Sequence, residues 1–423
     1  MLRSQLHSAG MIDQIGQKAK RAARLLATLD PATKTGVLGT MAAELEARVE
    51  QILSANADDM GDARAQGVSG ALLDRLALNP ERVVAIANGL RTVAALPDPV
   101  GSLTGGWVLV NGIRLQRMRV PLGVVAIIYE ARPNVTADAA GLCFKSGNAA
   151  ILRGSSYTLR SNNAIAGALR AALGKHGLPE DAVQLMQDTS RQAATALMQA
   201  REWIDLLVPR GGPGLIAAIE EQATVPFVID GAGNCHVYVD ASADLSMAAD
   251  IAFNAKTHRP GVCNAAEKLI VHGDVADQFL PVIAGRLRDF GVELRGDAAA
   301  RAILPDLVAA TDEDWPTEYL DLKMAVKVVA SFDEAVEHIR MFSSGHTEAI
   351  VTANLEAAER FVRETDSAVV MVNASTRFTD GEEFGFGAEI GISTQKLHVR
   401  GPMGLEALTT EKYVLYGEGQ IRS

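Results

Sequence analysis

From Val124 onward, short segments rich in Val and Ile alternate with Ala-rich segments of helical length. The first half of this alternation consists of predicted strands at 124–129, 149–152, 182–185 and 204–209 and predicted helices at 137–145, 161–175 and 215–222. Strands that are joined through helices pack side by side in parallel, so this order predicts a parallel sheet with crossover helices. The chain has 423 residues and 48% hydrophobic content, which is enough for roughly two or three domains.

A second alternation follows the glycine-rich segment 230–234. Strands are predicted at 236–240 and 268–271 around a helix at 245–255. Farther on, Ser331 and Glu334 have the spacing of a capping box, and 369–372 is again strand-like. This part of the chain is therefore expected to form a second α/β domain.

The first hundred residues are expected to be helical throughout. Asp30 and Pro31 suit the N-cap and the first position of a helix, and apolar positions from Leu38 to Ile52 mark its buried side. An Asn111-Gly112 turn between two strand-like runs then predicts a β-hairpin. One face of the hairpin is expected to be solvent-exposed, as in an arm that protrudes between domains or subunits. The apolar tail 413–416 is expected to pair with a sheet edge, in this chain or in another subunit.

Charge and residue usage exclude several functional classes. The net charge of −11 argues against a nucleic-acid partner, which would need a basic face. The longest apolar run, 120–129, is about half of what a bilayer requires, so no membrane partner is expected. The cysteines at 143, 235 and 263 form no CxxC pair or disulfide framework, which predicts a cytoplasmic protein, and the scattered histidines predict no metal site.

Cys263 is the candidate nucleophile. It follows a Pro-Gly turn and has Lys256, His258 and Arg259 shortly before it, so nearby positive charge can favour the thiolate. The amides of Cys263 and Asn264 can face an oxyanion. An ordinary turn cysteine is the alternative, because the contacts that tune a thiol are three-dimensional.

Gly211 and Gly212 lie in a turn between the predicted strand 204–209 and the predicted helix 215–222. Backbone amides at such a helix start can bind a phosphate group. A plain tight turn is the alternative, since the GxGxxG pattern is absent.

Several motifs occur in order along nearly the whole chain. They are Val-Pro-Leu-Gly-Val at 120–124, Tyr-Glu-Ala-Arg-Pro-Asn-Val-Thr at 129–136, Gly-Asn-Ala-Ala-Ile-Leu-Arg-Gly at 147–154, Val-Pro-Arg-Gly-Gly at 208–212, Asp-Gly-Ala-Gly-Asn-Cys-His at 230–236 and Arg-Pro-Gly-Val-Cys-Asn at 259–264. Together they resemble the aldehyde dehydrogenase superfamily and, within it, the γ-glutamyl phosphate reductase branch. The resemblance implies an α/β fold with a Rossmann-type NADP(H)-binding domain at 1–104 and 122–232, an α/β catalytic domain at 233–398, and a β oligomerisation arm at 105–121 and 399–423.

The resemblance also implies a reaction. An enzyme of this branch would use NADPH to reduce L-glutamate 5-phosphate to L-glutamate 5-semialdehyde and phosphate, the second step of L-proline biosynthesis. A Cys263 thiolate would displace phosphate to form a thioester, which hydride then reduces to the aldehyde. A homo-oligomer is expected, and association with glutamate 5-kinase is left open.

Site residues follow from the same resemblance. They are Cys263 and Asn264 for catalysis; Arg153, Ser155, Ser156, Gly211, Gly212 and Glu318 for the cofactor; and Arg132, Asn134, Arg259 and Arg377 for the substrate.

Each of these roles has an ordinary alternative. Arg153 would contact the 2′-phosphate of NADPH, or be a solvated arginine at a strand end. Glu318 would hold the nicotinamide ribose, or be a surface carboxylate. Arg259 would bind the leaving phosphate, or cap a local carbonyl. Arg377 is a candidate for the substrate α-carboxylate.

Arg153 stands where related enzymes have a lysine, and the chain also departs from them at three further positions. Asp230 stands where hydrolytic aldehyde dehydrogenases have the glutamate that activates water, and Asn234 stands where they have a lysine. The missing base favours the reductase, because hydrolysis of the thioester would waste an activated substrate. His258 stands where this branch is expected to have glutamine, and we assign it no role. A cysteine acyltransferase or hydrolase without nicotinamide would need His236 or His258 as its base.

Overall fold

The structure is a computed structural model that describes the backbone of residues 2–422 and the side chains of residues 10–70, 72–212 and 214–422. The chain divides into two compact units. The first consists of residues 1–229, 386–391 and 403–423, and the second of 230–385 and 392–402. This division reflects contacts alone, so the functional domains expected at 1–104 with 122–232, at 233–398 and at 105–121 with 399–423 stay a prediction.

The first unit begins with helices and continues with alternating strands and helices. Its helices are α1 Leu2–Leu26, α2 Pro31–Ala47, α3 Val49–Ala65, α4 Gly70–Leu76, α5 Pro80–Ala95, α6 Val135–Lys145, α7 Leu159–Lys175, α8 Arg191–Met198 and α9 Pro213–Gln222. Its strands are β1 Leu103–Val108, β2 Arg114–Pro121, β3 Val124–Tyr129, β4 Ala149–Arg153, β5 Val183–Leu185, β6 Leu206–Arg210 and, near the C-terminus, β16 Thr409–Tyr416.

Four strands form the predicted parallel sheet, in the order β5-β4-β3-β6. Every residue of β3 is buried, as expected for a central parallel strand covered on both faces. The chain runs from β3 outward to β4 and β5 and then returns to place β6 on the other side of β3. The order therefore reverses between β3 and β6, and crevices at such reversals are where open α/β sheets bind ligands.

Helix α2 begins as the sequence predicts. Asp30 is its N-cap and accepts a hydrogen bond from the backbone N–H of Thr33, and Pro31 is the first helical residue. The single helix expected from Leu38 through Ile52 is wrong, however, because Arg48 has φ −111° and ψ 20° and separates α2 from α3. Buried apolar residues nevertheless occur on both sides of the break, with Leu45 in α2 and Ile52 in α3.

The hairpin predicted at Asn111-Gly112 is present and is extended by the C-terminal tail. Strands β1, β2 and β16 form an antiparallel sheet in which β2 is central. The tail thus pairs with a sheet edge of its own chain, which is one of the two partners expected from the sequence.

The second unit contains the second predicted α/β alternation. Its helices are α10 Leu245–Thr257, α11 Gly273–Asp289, α12 Ala298–Ile303, α13 Phe332–Phe342 and α14 Leu355–Glu364. Its strands are β7 Cys235–Val239, β8 Ala266–His272, β9 Glu293–Gly296, β10 Val308–Ala309, β11 Lys323–Val329, β12 Thr347–Val351, β13 Val369–Val372, β14 Ile392–Ser393 and β15 Gly401–Pro402.

Seven of these strands form a parallel sheet in the order β10-β9-β11-β8-β7-β12-β13. Alternate residues of β7 pack on opposite faces. Val237 and Val239 join a core with α10, α11 and α12, whereas Tyr238 joins a second core with α13 and α14. The two-residue period of a strand thus produces two cores from one sheet.

Helix α13 has half of the predicted capping box. The hydroxyl of Ser331 accepts from the backbone N–H of Glu334 at 3.2 Å, as expected. The Glu334 carboxylate accepts from the N–H of Ala330, not from that of Ser331. Elsewhere, the described helices include none that is long and apolar enough to cross a membrane.

Candidate active site

Cys263 lies in the loop between α10 and β8, in the second unit. Its side chain is partly exposed, whereas Cys143 and Cys235 are buried. Burial raises the pKa of the Cys143 thiol to about 12 and also raises the pKa of the Cys235 thiol, so both are protonated at neutral pH. Of the three cysteines, Cys263 is the one accessible to a substrate.

Asn264 anchors this loop next to Cys263. Its side-chain Nδ2 donates to the carbonyl of Thr379 at 2.8 Å, and its backbone carbonyl accepts from the hydroxyl of Thr376 at 2.6 Å. Its Oδ1 accepts a hydrogen bond from Arg377. The side chain of Asn264 therefore holds the loop in place, and the expected role of its backbone amide at an oxyanion stays a prediction.

Arg377 lies beside the same loop. Its Nε donates to Nδ1 of His258 at 3.3 Å, so the guanidinium contacts residues on both sides of Cys263 in sequence. Burial lowers the pKa of Arg377, but a guanidinium remains charged at any physiological pH. The structure thus brings Arg377, Asn264 and the Cys263 loop together, and Arg259 is exposed on that loop. His258, to which we assign no role from the sequence, contacts Arg377.

One correction concerns the source of positive charge near Cys263. The sequence suggests that Lys256 contributes, but its ammonium is fully buried and pairs with Glu267 at 2.9 Å. Its charge is therefore balanced by that carboxylate. The spacing along the chain could not reveal this, because Glu267 belongs to the next strand.

Glu318 is connected to Cys263 through Gly233. The carboxylate of Glu318 accepts from the N–H of Gly233 at 2.7 Å. Gly233 packs directly against the backbone of Cys263, and a Cβ at this position would overlap the Cys263 carbonyl. That carbonyl also accepts from the Cys235 thiol at 3.2 Å. Burial raises the pKa of Glu318, and its role at the nicotinamide ribose stays a prediction.

Asp230 and Asn234 have structural contacts. Asp230 accepts from the backbone N–H of Ile392 at 2.9 Å, which joins it to β14. The Nδ2 of Asn234 donates to the carbonyls of Trp315 and Phe342, at 2.8 Å each. Both side chains thus stabilise neighbouring backbone.

The two histidines that a nicotinamide-free mechanism would require are engaged elsewhere. His236 is fully buried in β7, and its Nδ1 lies 2.9 Å from the carboxylate of Glu348. His258 uses its Nδ1 lone pair to accept from Arg377. These contacts do not favour either residue as a general base for Cys263.

In the first unit, the predicted cofactor residues Gly211 and Gly212 directly follow β6, beside the carboxyl end of β3. The Gly212 N–H donates to the carboxylate of Glu130 at 3.1 Å. A Cβ on Gly211 would come within 2.7 Å of the Leu215 side chain and 2.9 Å of the Glu130 side chain, so a larger residue there would displace both side chains. The turn is tight, as the alternative supposes, and its Gly212 amide already binds an anionic group of the chain itself.

Arg153, at the end of β4, is not a solvated arginine. It donates to the carbonyls of Thr189 and Ser190, at 2.5 and 3.3 Å, and burial lowers its pKa. Ser155 and Ser156 follow it, and the exposed Ser156 begins a short 3₁₀-helix, Ser156–Thr158. The guanidinium is thus fixed at the carboxyl edge of the sheet.

Asn134 and Arg132 follow β3, before α6. The Nδ2 of Asn134 donates to Asp138 at 2.9 Å, and burial raises the pKa of Asp138 to about 6. Ala131 has φ +46°, a left-handed conformation that non-glycine residues adopt rarely. Substrate contacts of Arg132 and Asn134 stay predictions.

Sequence reasoning missed a chain of buried side chains below the Cys263 loop. His346 contacts the Cys235 thiol and the Thr347 hydroxyl, and that hydroxyl contacts Thr379, whose carbonyl accepts from Asn264. Burial lowers the pKa of His346 to about 4, so its ring is neutral at pH 7. Cys235 lies in the motif at 230–236, but none of the motifs contains His346, Thr347 or Thr379, and these side chains meet only in the fold. Among the described residues, there is no group of three or more His, Cys, Asp or Glu side chains that could hold a metal ion.

Comparison with known proteins identifies the relatives of this chain. Residues 2–301 match the aldehyde dehydrogenase family. The chain is 56% identical to γ-glutamyl phosphate reductase from Moorella thermoacetica over 407 residues, which cover 96% of this chain and 97% of that protein. It is 57% identical to the enzyme of the same name from Heliobacterium modesticaldum, covering 96% and 98% of the two chains.

Solved structures agree with the sequence comparison. The crystal structure of γ-glutamyl phosphate reductase from Thermotoga maritima matches with a TM-score of 0.96 and 49% identity, covering 97% of this chain and 100% of that one. An acetylating aldehyde dehydrogenase from Geobacillus thermoglucosidasius has the same fold, with a TM-score of 0.71 at 16% identity and 99% coverage of both chains. The chain therefore belongs to the aldehyde dehydrogenase family, in its γ-glutamyl phosphate reductase branch.

Proposed function

We propose that this protein reduces L-glutamate 5-phosphate to L-glutamate 5-semialdehyde and phosphate, with NADPH as the reductant, in the second step of L-proline biosynthesis. The observation that carries the proposal is the accessible Cys263 thiol in a loop anchored by Asn264 beside the cationic Arg377. Relatives with the corresponding name match over nearly the whole chain.

The chemistry begins at Cys263. Its thiolate attacks the acyl carbon of the substrate, the bond to the phosphate oxygen breaks, and inorganic phosphate leaves with the bonding electrons. The acyl group is then held as a thioester on Sγ. A bound nicotinamide supplies the hydride that reduces this thioester. Collapse of the resulting thiohemiacetal releases the aldehyde and restores the thiolate.

Arg377 and Arg259 are proposed to bind the anionic substrate. A guanidinium binds a carboxylate or a phosphate through two parallel hydrogen bonds. Arg377 is assigned to the α-carboxylate, because its partners hold it beside the Cys263 loop. Arg259, which is exposed on the loop itself, is assigned to the leaving phosphate. Arg132 and Asn134 are further candidates for substrate contact.

The residues of the first unit fit a nicotinamide cofactor in part. The order of strands reverses between β3 and β6, where a dinucleotide site is expected. The Arg153 guanidinium is fixed at the carboxyl edge of the sheet by the carbonyls of Thr189 and Ser190, and with Ser155 and Ser156 after it Arg153 is assigned to the 2′-phosphate. The Gly212 amide is occupied by Glu130, so a phosphate bound there would have to displace that carboxylate.

The position of Asp230 supports reduction rather than hydrolysis. Its carboxylate is shorter than the glutamate of the hydrolytic enzymes and accepts a backbone hydrogen bond from Ile392. A thioester without an efficient water-activating base persists until hydride or phosphate reacts with it.

Two proposals concern assembly. We infer a homo-oligomer formed through the β1-β2-β16 sheet, which carries exposed apolar side chains including Trp107 and Leu415. Association with glutamate 5-kinase would protect an acyl phosphate from water during transfer. A cytoplasmic location agrees with three cysteines that form no disulfide bond.

The reverse reaction tests the function. Glutamate semialdehyde and NADP are expected to give NADPH only when phosphate or arsenate is present, because these anions replace water as the attacking nucleophile. The same assay with NAD is expected to be slower. An equal rate in phosphate-free buffer would place the protein among the hydrolytic enzymes, and the absence of NADP reduction in both buffers would favour a nicotinamide-free cysteine enzyme.

A further inference from the structure

A buried ion pair joins the two ends of the loop that carries Cys263. Lys256 is the penultimate residue of α10, and Glu267 is the second residue of β8. Their side chains are fully buried, and Nζ of Lys256 lies 2.9 Å from Oε2 of Glu267. The intervening residues, including Cys263, thus form a loop closed at its base by a salt bridge.

The same carboxylate contacts a second part of the site. Oε1 of Glu267 accepts from the backbone N–H of Leu320 at 3.1 Å. Leu320 has φ +53°, a conformation that needs support from its surroundings in a residue other than glycine. Two residues earlier is Glu318, which holds the Gly233 N–H against the backbone of Cys263.

The adjacent residue of β8 reinforces this connection. Nζ of Lys268 donates to the carbonyl of Thr317 at 2.7 Å and lies 4.5 Å from the centroid of the Tyr319 ring. Neighbouring side chains of β8 therefore hold both ends of the segment 317–320. The contacts form a closed circuit from Lys256 through Glu267, Leu320, Glu318 and Gly233 to Cys263.

We infer that Lys256 and Glu267 are positioning residues that fix the Cys263 loop relative to the segment carrying Glu318. This role depends on one part of the proposed function, which is that Cys263 is the nucleophile. Buried salt bridges contribute little net stability, because desolvation offsets the attraction between the charges, and apolar pairs of similar size often replace them without loss. If the pair served folding alone, an apolar pair of similar size could replace it and the enzyme would keep its full activity. A positioning pair could not be replaced in this way, since a displacement of about 1 Å can cost about 10²-fold in rate.

The test replaces both residues at once, as Lys256→Met with Glu267→Leu. The variant is expected to keep its melting temperature within about 5 °C, while kcat falls by about 10- to 100-fold. A second readout is the rate at which iodoacetamide alkylates Cys263 across pH 6–10, with the modified residue identified by mass spectrometry. This profile is expected to change, and it requires neither substrate nor cofactor. It therefore reports on the loop even if the proposed reaction is wrong.

The first unit offers a matched control in Lys34 and Asp98. This pair is equally close, with Nζ 2.8 Å from Oδ2 and side-chain exposures of 0% and 5%. Its carboxylate also accepts a backbone N–H, from Val100 at 2.9 Å. Lys34→Met with Asp98→Leu is expected to leave both kcat and the alkylation profile unchanged.

Three outcomes would overturn the inference. The first is a folded Lys256→Met/Glu267→Leu variant with wild-type kcat and alkylation, and the second is an equal loss of kcat in the control. If the first variant does not fold, Lys256→Met with Glu267→Gln, which retains an acceptor for the Leu320 N–H, is held to the same criteria. Failure of that variant to fold as well would assign the pair to folding and reject the positioning role.

Discussion

At the scale of single residues, the three cysteines differ in how far their side chains are buried. Cys143 and Cys235 are buried, and their thiols have raised pKa values because burial penalises the thiolate. Cys263 is partly exposed and lies in a loop anchored through Asn264. One thiol is thus available for chemistry, and another, Cys235, supports the loop by donating to the Cys263 carbonyl.

This difference predicts the effect of replacing each cysteine. Cys263→Ser is expected to lower kcat by several orders of magnitude while leaving the dissociation constant of NADPH nearly unchanged, because the nucleophile is lost and the cofactor residues are intact. Fluorescence titration with NADPH and a steady-state assay measure the two effects. Cys143→Ser is the control and is expected to be far milder. Turnover close to wild type in Cys263→Ser would rule out the covalent mechanism.

At the scale of elements, the three-stranded sheet places apolar side chains in one row. Pairing sets Trp107 of β1 and Leu415 of β16 opposite Leu115 of β2, so all three lie on the same face. Trp107 is 52% exposed and Leu415 is 53% exposed. Large side chains left open on a paired sheet are typical of a surface that another protein covers.

A charge in this row tests the proposed oligomer. Leu415→Lys is expected to convert the oligomer into smaller species, because a buried ammonium without a partner opposes association. Sedimentation velocity measures the size of the species. Lys412→Ala, in the same strand but without an apolar side chain, is the control and should leave the size unchanged. An unchanged sedimentation coefficient for Leu415→Lys would exclude this face as the interface.

At the scale of the whole molecule, two buried histidines make folding depend on pH. His338 lies against Trp315 and Phe342, with ring centroids 5.2 and 4.8 Å away, and burial lowers its pKa to about 3. Burial lowers the pKa of His346 to about 4. Both pKa values lie below the ordinary value of 6.5. The two histidines therefore contribute fully to the free energy of unfolding above pH 6.5. This contribution is lost as the pH falls towards the folded-state values, because only the unfolded chain binds the proton.

The expected effect follows from this linkage. Between pH 7 and pH 5, each histidine should lower the free energy of unfolding by about 2 kcal/mol. His338→Phe keeps an aromatic ring between Trp315 and Phe342 and removes the titration, so its free energy of unfolding should fall by about 2 kcal/mol less than that of the wild type. Urea unfolding at the two pH values measures this difference, with His398→Gln, at an exposed position, as the control. Equal losses in the wild type and His338→Phe would contradict the assignment.

Much of the architecture follows from local sequence. The alternation of apolar segments predicts the parallel sheet of the first unit and the second α/β domain, and the Asn111-Gly112 turn predicts the hairpin, because strand period and turn chemistry act over a few residues. Local sequence predicts no element in most of the segment 273–329, which forms α11, α12 and the strands β9 to β11. Its strands β9 and β10 have only four and two residues, and runs that short show little strand periodicity.

The sequence by itself determined the fold class, the family and the candidate nucleophile, since each depends on motifs whose residues are close together in the chain. Only the tertiary structure decided what those residues contact. In the structure, Lys256 pairs with Glu267 and is not a free cation near Cys263, and His258 contacts Arg377. The tertiary structure also placed the carboxylate of Glu130 on the amide of Gly212. Burial and hydrogen bonding between distant segments set the charge and position of a side chain, and neither is encoded in local spacing.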